Sequence, residues 1–212
     1  MITELITPEF VAIWIAWLLG GGSPGPATMG IAGTAMAEGR RSGLAFALGI
    51  LAGSAGWGIA AALGLSAIML ANVWVFETMR YVGAAYLSWL AFKALKRVMA
   101  KGTLTAAGTP FQGSFGVLFA KGAAVHVTNP KAILGWGSIY AIVAPATATP
   151  TILFGYFGLL YAGSALVFLG YALLFSSERV VRGYRRASRL FDLGFAGFFG
   201  FAAFKIFTAR LQ

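Results

Sequence analysis

Three stretches without a charged side chain constrain this chain more than anything else in it. They run from Phe10 to Ala37 (28 residues), Ser42 to Phe76 (35) and Ala132 to Ser177 (46). An α-helix crosses the hydrocarbon core of a bilayer in about 20 residues, so the first two stretches hold one span each and the third holds two. Of the 212 residues, 59% are apolar and 10% charged; an ordinary soluble domain has roughly 45–50% and 25%. A soluble chain of this length needs more polar cover than that. The sequence is that of an integral membrane protein.

Two further spans carry charge only near their ends, at about 76–96 and 191–209, where Lys and Arg snorkel to the interface. Within the third stretch the turn is written as Ala144-Pro145-Ala146-Thr147-Ala148-Thr149-Pro150, because paired prolines punctuate helices. The expected fold is all-α: six transmembrane helices near 10–33, 43–70, 76–96, 118–144, 150–175 and 191–209, in one domain covering 1–212. The first span does not read as a cleaved signal peptide, since its leader carries Glu4 and Glu9 instead of a basic region.

Lys and Arg set the expected orientation. One side collects Arg40, Arg41, Lys93, Lys96, Arg97, Lys101, Arg179, Arg182, Arg185, Arg186 and Arg189, eleven in all. The other has three, Arg80, Lys205 and Arg210, while Lys121 and Lys131 fall within the fourth segment. That asymmetry places both termini outside the cytoplasm. It also explains the net charge of +10 without nucleic acid, because the basic residues are strung between spans and not gathered on one face.

Several chemistries are excluded. Without cysteine there is no disulfide, thiolate metal site or iron–sulfur cluster, and one histidine, His126, makes no metal cluster or conventional triad. No metal, cofactor or enzymatic activity is expected. No GxxxxGK[ST] run grips a nucleotide, so uphill transport would draw on an ion gradient or a partner subunit.

A faint internal repeat is visible. Pro24 and Pro130 are 106 residues apart, as are Gly49 and Gly155, and Ala84, Ala91, Phe92 and Lys93 meet Ala196, Ala203, Phe204 and Lys205 at an offset of 112. Three helices per repeat is an odd number, so the second half would run upside down. The expected arrangement is two inverted three-helix repeats, at about 1–100 and 115–212, a hallmark of secondary transporters.

The helical pattern breaks at corresponding points of the two halves, at Gly20-Gly21-Gly22-Ser23-Pro24-Gly25-Pro26 and at Thr128-Asn129-Pro130-Lys131. Proline removes a backbone donor and clashes with the preceding turn, and glycine weakens a helix further. Irregular backbone at membrane depth survives only inside protein or beside a watery cavity. Matched breaks therefore point to a substrate site formed by Ser23, Pro24, Gly25, Pro26, Asn129, Pro130 and Lys131; the alternative is two ordinary proline kinks. Such a site suits a zwitterion: helix amino ends attract a carboxylate, and unwound carbonyls accept from an ammonium.

Other residues have two readings each. Lys131 either neutralises a substrate carboxylate or reaches the cytoplasmic interface from a shallow helix. His126 either relays protons or satisfies a local hydrogen bond. Glu38 and Arg41 are a gating or proton-linked pair, or a loop ion pair. No acidic residue is expected deep in a span, which leaves proton coupling without an obvious carrier. Gly49 and Gly53, and the Gly194, Gly197, Gly200 series, are small-residue faces that pack within the bundle or in a homodimer. The basic run from Ser177 to Leu190 is an interfacial helix on anionic lipid or a solvated loop.

Four ordered motifs carry a family resemblance. Ser23-Pro24-Gly25-Pro26, then Gly39-Arg40-Arg41-Ser42-Gly43-Leu44 with Gly49, then Tyr86-Leu87-Ser88-Trp89-Leu90, then Asn129-Pro130-Lys131-Ala132 resemble the LysE-type translocators, which export lysine, threonine, homoserine and other amino acids. The resemblance implies a bacterial inner-membrane exporter of an amino acid or similar metabolite, driven by the proton gradient. One departure is plain: the family commonly follows Asn-Pro-Lys with a Phe-rich stretch, whereas this chain has Ile133-Leu134-Gly135-Trp136-Gly137. The competing expectation, from another class, is a structural or assembly subunit of a membrane complex.

Overall fold

The computed structural model describes residues 5–71, 110–143 and 148–208, with single positions between 81 and 99. Most of the expected third span at 76–96, the turn at 144–147 and the charges Arg80, Lys93, Arg97, Lys101 and Arg210 lie outside the described residues. Those described are helical apart from short connections, and none lies in a strand.

Helix α1 spans Pro8–Gly22 and begins where the sequence writes a start: Thr7 Oγ1 accepts from the Phe10 N–H (3.1 Å), and Pro8 opens the first turn, where its missing donor is harmless. Helix α5, Pro150–Leu174, uses the same device, with Thr149 Oγ1 accepting from Ile152 N–H. It matches the span expected at 150–175. Helices α3 (Phe115–Val127) and α4 (Pro130–Val143) divide the expected fourth span at its anticipated break.

Two expected boundaries are corrected. The chain does not form spans at 10–33 and 43–70 with a loop between. A new helix, α2, starts at Pro26 and runs to Ala71, turning only at Gly39 (φ 81°, ψ 179°). Side chains rarely adopt that positive φ, so a single glycine joins 26–38 to 40–71 without a loop. The basic run from Ser177 to Leu190 is neither a separate helix nor a loop: α6 is continuous from Glu178 to Thr208.

Pro150–Leu174 is long and apolar enough to cross a membrane, and so is Pro26–Gly64 taken end to end, although the Gly39 turn divides it into helices at 26–38 and 40–64. At 15, 13 and 14 residues, α1, α3 and α4 are each shorter than the ~20 that a span requires.

Glycine sets how closely α2 approaches α3. A Cβ at Gly49 would run into the Phe119 carbonyl, one at Gly122 into the Phe46 carbonyl, and one at Gly53 would stand 2.9 Å from His126 Cβ. The GxxxG of α2 is thus used inside the chain, where backbone contact replaces the absent hydrophobic drive. Around Gly194, Gly197 and Gly200, by contrast, a Cβ would meet nothing within 4 Å. Beside the α2–α3 seam, Ile31, Phe46 and Ile50 of α2 pack with Phe168 of α5 in a buried core.

Helix α5 receives α1 and α4 through ring hydrogens. Trp14 Nε1 donates to the Leu159 carbonyl (2.9 Å), Trp17 Nε1 to the Leu160 carbonyl (2.8 Å), and the Tyr140 hydroxyl to the Leu153 carbonyl (3.0 Å). At about 0.6 kcal/mol for an interhelical bond in a membrane, the three together contribute about 2 kcal/mol.

The seam makes a test. Gly122→Leu should cost most of the folded protein recovered from membranes, as judged by fluorescence-detected gel filtration. Gly56→Ala, where a Cβ meets nothing, should be recovered at parental levels. Equal recovery of both would show that the helices do not pack backbone to backbone here.

Candidate substrate site

The first break is built by two prolines. Each disfavours helix in the residue before it, and Ser23 is extended (φ −66°, ψ 146°). Thr28 then closes the start of α2: its Oγ1 accepts from the Gly25 N–H (3.0 Å) and shares its own proton between the Ser23 and Gly25 carbonyls. At the second break, Thr128 ends α3 by donating to the Ala124 carbonyl (2.8 Å). Asn129 Oδ1 accepts from the Lys131 N–H (3.1 Å), and Pro130 opens α4.

The two breaks touch. Lys131 Nζ donates to the Ser23 carbonyl (2.8 Å) and to Ser23 Oγ (2.6 Å), across 108 residues of sequence. Ser23 Oγ in turn donates to the Gly20 carbonyl (2.9 Å). Gly25 faces the same lysine: a Cβ there would stand 3.4 Å from Lys131 Cδ and Nζ. Among apolar helices an ammonium is costly unless acceptors surround it, and the unwound backbone supplies them.

A cavity of about 390 Å³ opens beside this junction, within the usual size of small-molecule sites. Gly25 and Thr28 from the first break line it, with Asn129 and Lys131 from the second and His126 from the last turn of α3. His126 is 4% exposed, and among the described residues its Nδ1 is the buried side-chain atom with no hydrogen-bond partner. Its ring stands edge-on to Phe168, centroids 5.6 Å apart. Two cavity hydroxyls are already engaged: Ser54 by Trp136 Nε1 (3.1 Å) and Ser164 by Trp17 Nε1 (3.0 Å).

Of the residues singled out in the sequence, Gly25, Asn129, Lys131 and His126 therefore share one cavity. Ser23 is buried behind the wall and holds the lysine. Pro24, Pro26 and Pro130 shape the breaks without being part of the cavity lining. Glu38 and Arg41 are exposed on either side of the Gly39 turn and do not join the lining. The described residues hold no group of three or more metal-binding side chains.

Sequence reasoning missed Trp17 and Trp136, whose rings pack 4.6 Å apart at the cavity wall. Trp136 lies in the Ile133–Gly137 stretch that departs from the common family pattern, and this was the available signal. Asp192, 1% exposed within the continuous α6, is a buried acidic residue that the sequence reading did not single out. Placing the start of that span at 191 had put it at a membrane boundary.

Residues 19–210 match the family model described as LysE type translocator. The chain belongs to this family. It is 30% identical over 176 residues to a threonine efflux protein of Escherichia coli strain K12, covering 82% of this chain and 85% of that one. A leucine efflux protein of Enterobacter sp. strain 638 is 31% identical over 128 residues, 60% of each chain. One of Klebsiella pneumoniae is 29% identical over 187 residues, 85% and 86% of the two chains. No solved structure matches. Membership of the LysE type translocators makes the chain a membrane protein, and both breaks lie within the matched segment.

The absence of native cysteine makes the junction testable in this translocator. In a Ser23→Cys, Lys131→Cys variant, a short bifunctional thiol reagent should cross-link the pair within membranes and change the mobility of the band. A Ser23→Cys, Ser188→Cys pair should stay unlinked. The reverse pattern would show that the breaks do not meet.

Proposed function

We propose that this protein exports an amino acid across the bacterial inner membrane by secondary transport. The observation that carries the reading is the Lys131–Ser23 junction, where two helix breaks meet beside a cavity able to hold a small molecule. Matched breaks at a central site are what alternating access requires; a purely structural subunit has no use for them. The threonine and leucine efflux relatives support the same class of cargo.

The finer reading follows from this. The chain forms six spans as two inverted three-helix repeats, at about 1–100 and 115–212. Helices α1, α3 and α4 are too short to span alone, which fits broken spans. Both termini face outward, as the eleven-to-three distribution of Lys and Arg requires. Gly25, Asn129 and Lys131 line the substrate site, and Ser23, Pro24, Pro26 and Pro130 shape the backbone that holds it. Without a P-loop for ATP the energy comes from an ion gradient or a partner subunit, and the family resemblance points to protons. His126, within the cavity wall, is better placed to take part than Glu38 or Arg41 at the Gly39 turn. A homodimer through the glycine face of α6 accords with the open space around Gly194, Gly197 and Gly200.

Efflux from cells loaded with dipeptides, one amino acid at a time, tests the reading against an empty-vector control. The matching amino acid should leave faster from expressing cells, and a protonophore should abolish the difference while ATP is maintained. Gly25→Val, Asn129→Leu and Lys131→Met should each lower efflux by at least ~10-fold, the scale of losing a charged or hydrogen-bonded contact, at near-normal membrane abundance. Lys96→Met should transport like the parent. Site variants that are inserted and fully active would overturn the assignment.

Orientation has its own test. A cysteine at Thr3 should react with an impermeant thiol reagent in intact cells and one at Ser188 should not; the opposite result would invert the topology.

A further inference from the structure

The cavity wall is not uniform along its length. Its polar groups sit at the breaks: Lys131 and Asn129, with Thr28 and Gly25 at the start of α2, and the imidazole of His126. From there α1 and α4 lead away, and what they contribute is largely apolar. On α4 the wall continues through Gly135 and Ile139 to Ile142. At 1.5 Å per residue, Ile139 lies about 12 Å and Ile142 about 16 Å along the helix from Lys131. On α1 it passes through Ala16 to Ile13, about 15 Å along the chain from Ser23. Phe198 and Phe201 of α6 also reach the cavity.

We propose that the cavity selects neutral amino acids with a branched or aromatic apolar side chain, carboxylate toward Lys131, α-ammonium toward the His126 imidazole, and side chain among Trp17, Gly135 and Trp136. The assignment rests on the exporter reading above and adds the substrate class. Carboxylate and ammonium share one carbon in an α-amino acid, so both must be met at the same end. The break provides a fixed positive charge for one, reinforced by the amino end of α2. An unprotonated imidazole nitrogen is an acceptor for the other. No carboxylate lies among the described lining residues, so a lysine side chain would bring a second cation into a wall that offers it no acidic group. A threonine hydroxyl would lose water in the apolar stretch, where Ser164 already accepts from Trp17 and donates to the Leu160 carbonyl. Ser138, also in the wall, is the residue that would make threonine acceptable.

Counterflow of labelled L-leucine in proteoliposomes, with unlabelled competitors, decides the matter. L-Phenylalanine should compete like L-leucine, L-threonine at least ~10-fold more weakly, and L-lysine not measurably; an apolar pocket separates such pairs by about 10- to 200-fold. 4-Methylpentanoate, which is leucine without its ammonium, should also be at least ~10-fold weaker than L-leucine. His126→Phe should shrink the gap between leucine and 4-methylpentanoate to about twofold, and His126→Gln, which keeps an acceptor, should retain most of it. Both variants should elute as monodisperse protein. A Gly135→Ser variant, whose Cβ the wall accommodates, should narrow the leucine-to-threonine ratio.

Threonine or lysine moved as well as leucine would overturn the substrate class while leaving the exporter reading intact. A threonine preference lost in Ser138→Ala would do the same and name the residue responsible. A 4-methylpentanoate that competes equally with leucine would overturn the role of His126. If none of these amino acids, offered in turn as the labelled species, is carried, the exporter reading itself falls and this inference with it.

Discussion

A broken helix in an apolar setting must find partners for its loosened backbone, and this constraint organises the molecule. Hydrocarbon offers none, so the chain brings its own. The Gly20 carbonyl accepts from Ser23 Oγ, the Gly22 carbonyl from the Tyr171 hydroxyl of α5, and the Ser23 carbonyl from Lys131 and Thr28. The lysine has the complementary problem: an ammonium among apolar helices needs acceptors. Each difficulty resolves the other. The contact that satisfies both ties residue 23 to residue 131 and so fixes how the two parts of the chain meet.

The cavity is a consequence of how the remaining helices are held. The glycines of α2 and α3 bring two backbones together along one side, which sets His126 beside Gly53 and against Phe168. On the other side, α1 is held to α5 by the ring hydrogens of Trp14 and Trp17, and Tyr140 of α4 bonds to the Leu153 carbonyl. Large aromatic side chains there act as spacers where small residues act as close contacts. Tight approach on one side and bulky rings on the other leave room between them, and that room opens at the two breaks. Trp136 and Trp17 also donate to the hydroxyls of Ser54 and Ser164. They therefore both make the space and reduce its polarity.

Local signals in the sequence were legible where they were self-contained. Thr7-Pro8 and Thr149-Pro150 announce helix starts because cap and first turn are neighbours in sequence. The breaks at residues 23–26 and 128–131 were equally plain, since proline acts on its own backbone. Signals that required choosing between continuations were not legible. Nothing local says that Gly39 turns the chain in one residue; Glu38, Arg40 and Arg41 looked like a loop because charge was taken to mean interruption. The same assumption divided α6 and hid Asp192, which sits between a basic stretch and a glycine series that are in fact one helix.

The sequence by itself determined the solvent, the broken helices and the family: charge-free stretches of 28, 35 and 46 residues require a membrane, and ordered motifs carry their resemblance through local backbone chemistry. Tertiary structure alone decided that Lys131 reaches Ser23, that the His126 imidazole lines the cavity, and that Trp17 and Trp136 form its wall. The physical reason is range. Capping, proline breaks and hydropathy act within a few residues, whereas the destination of a lysine side chain depends on which backbone, 108 residues away, is left with carbonyls to offer it.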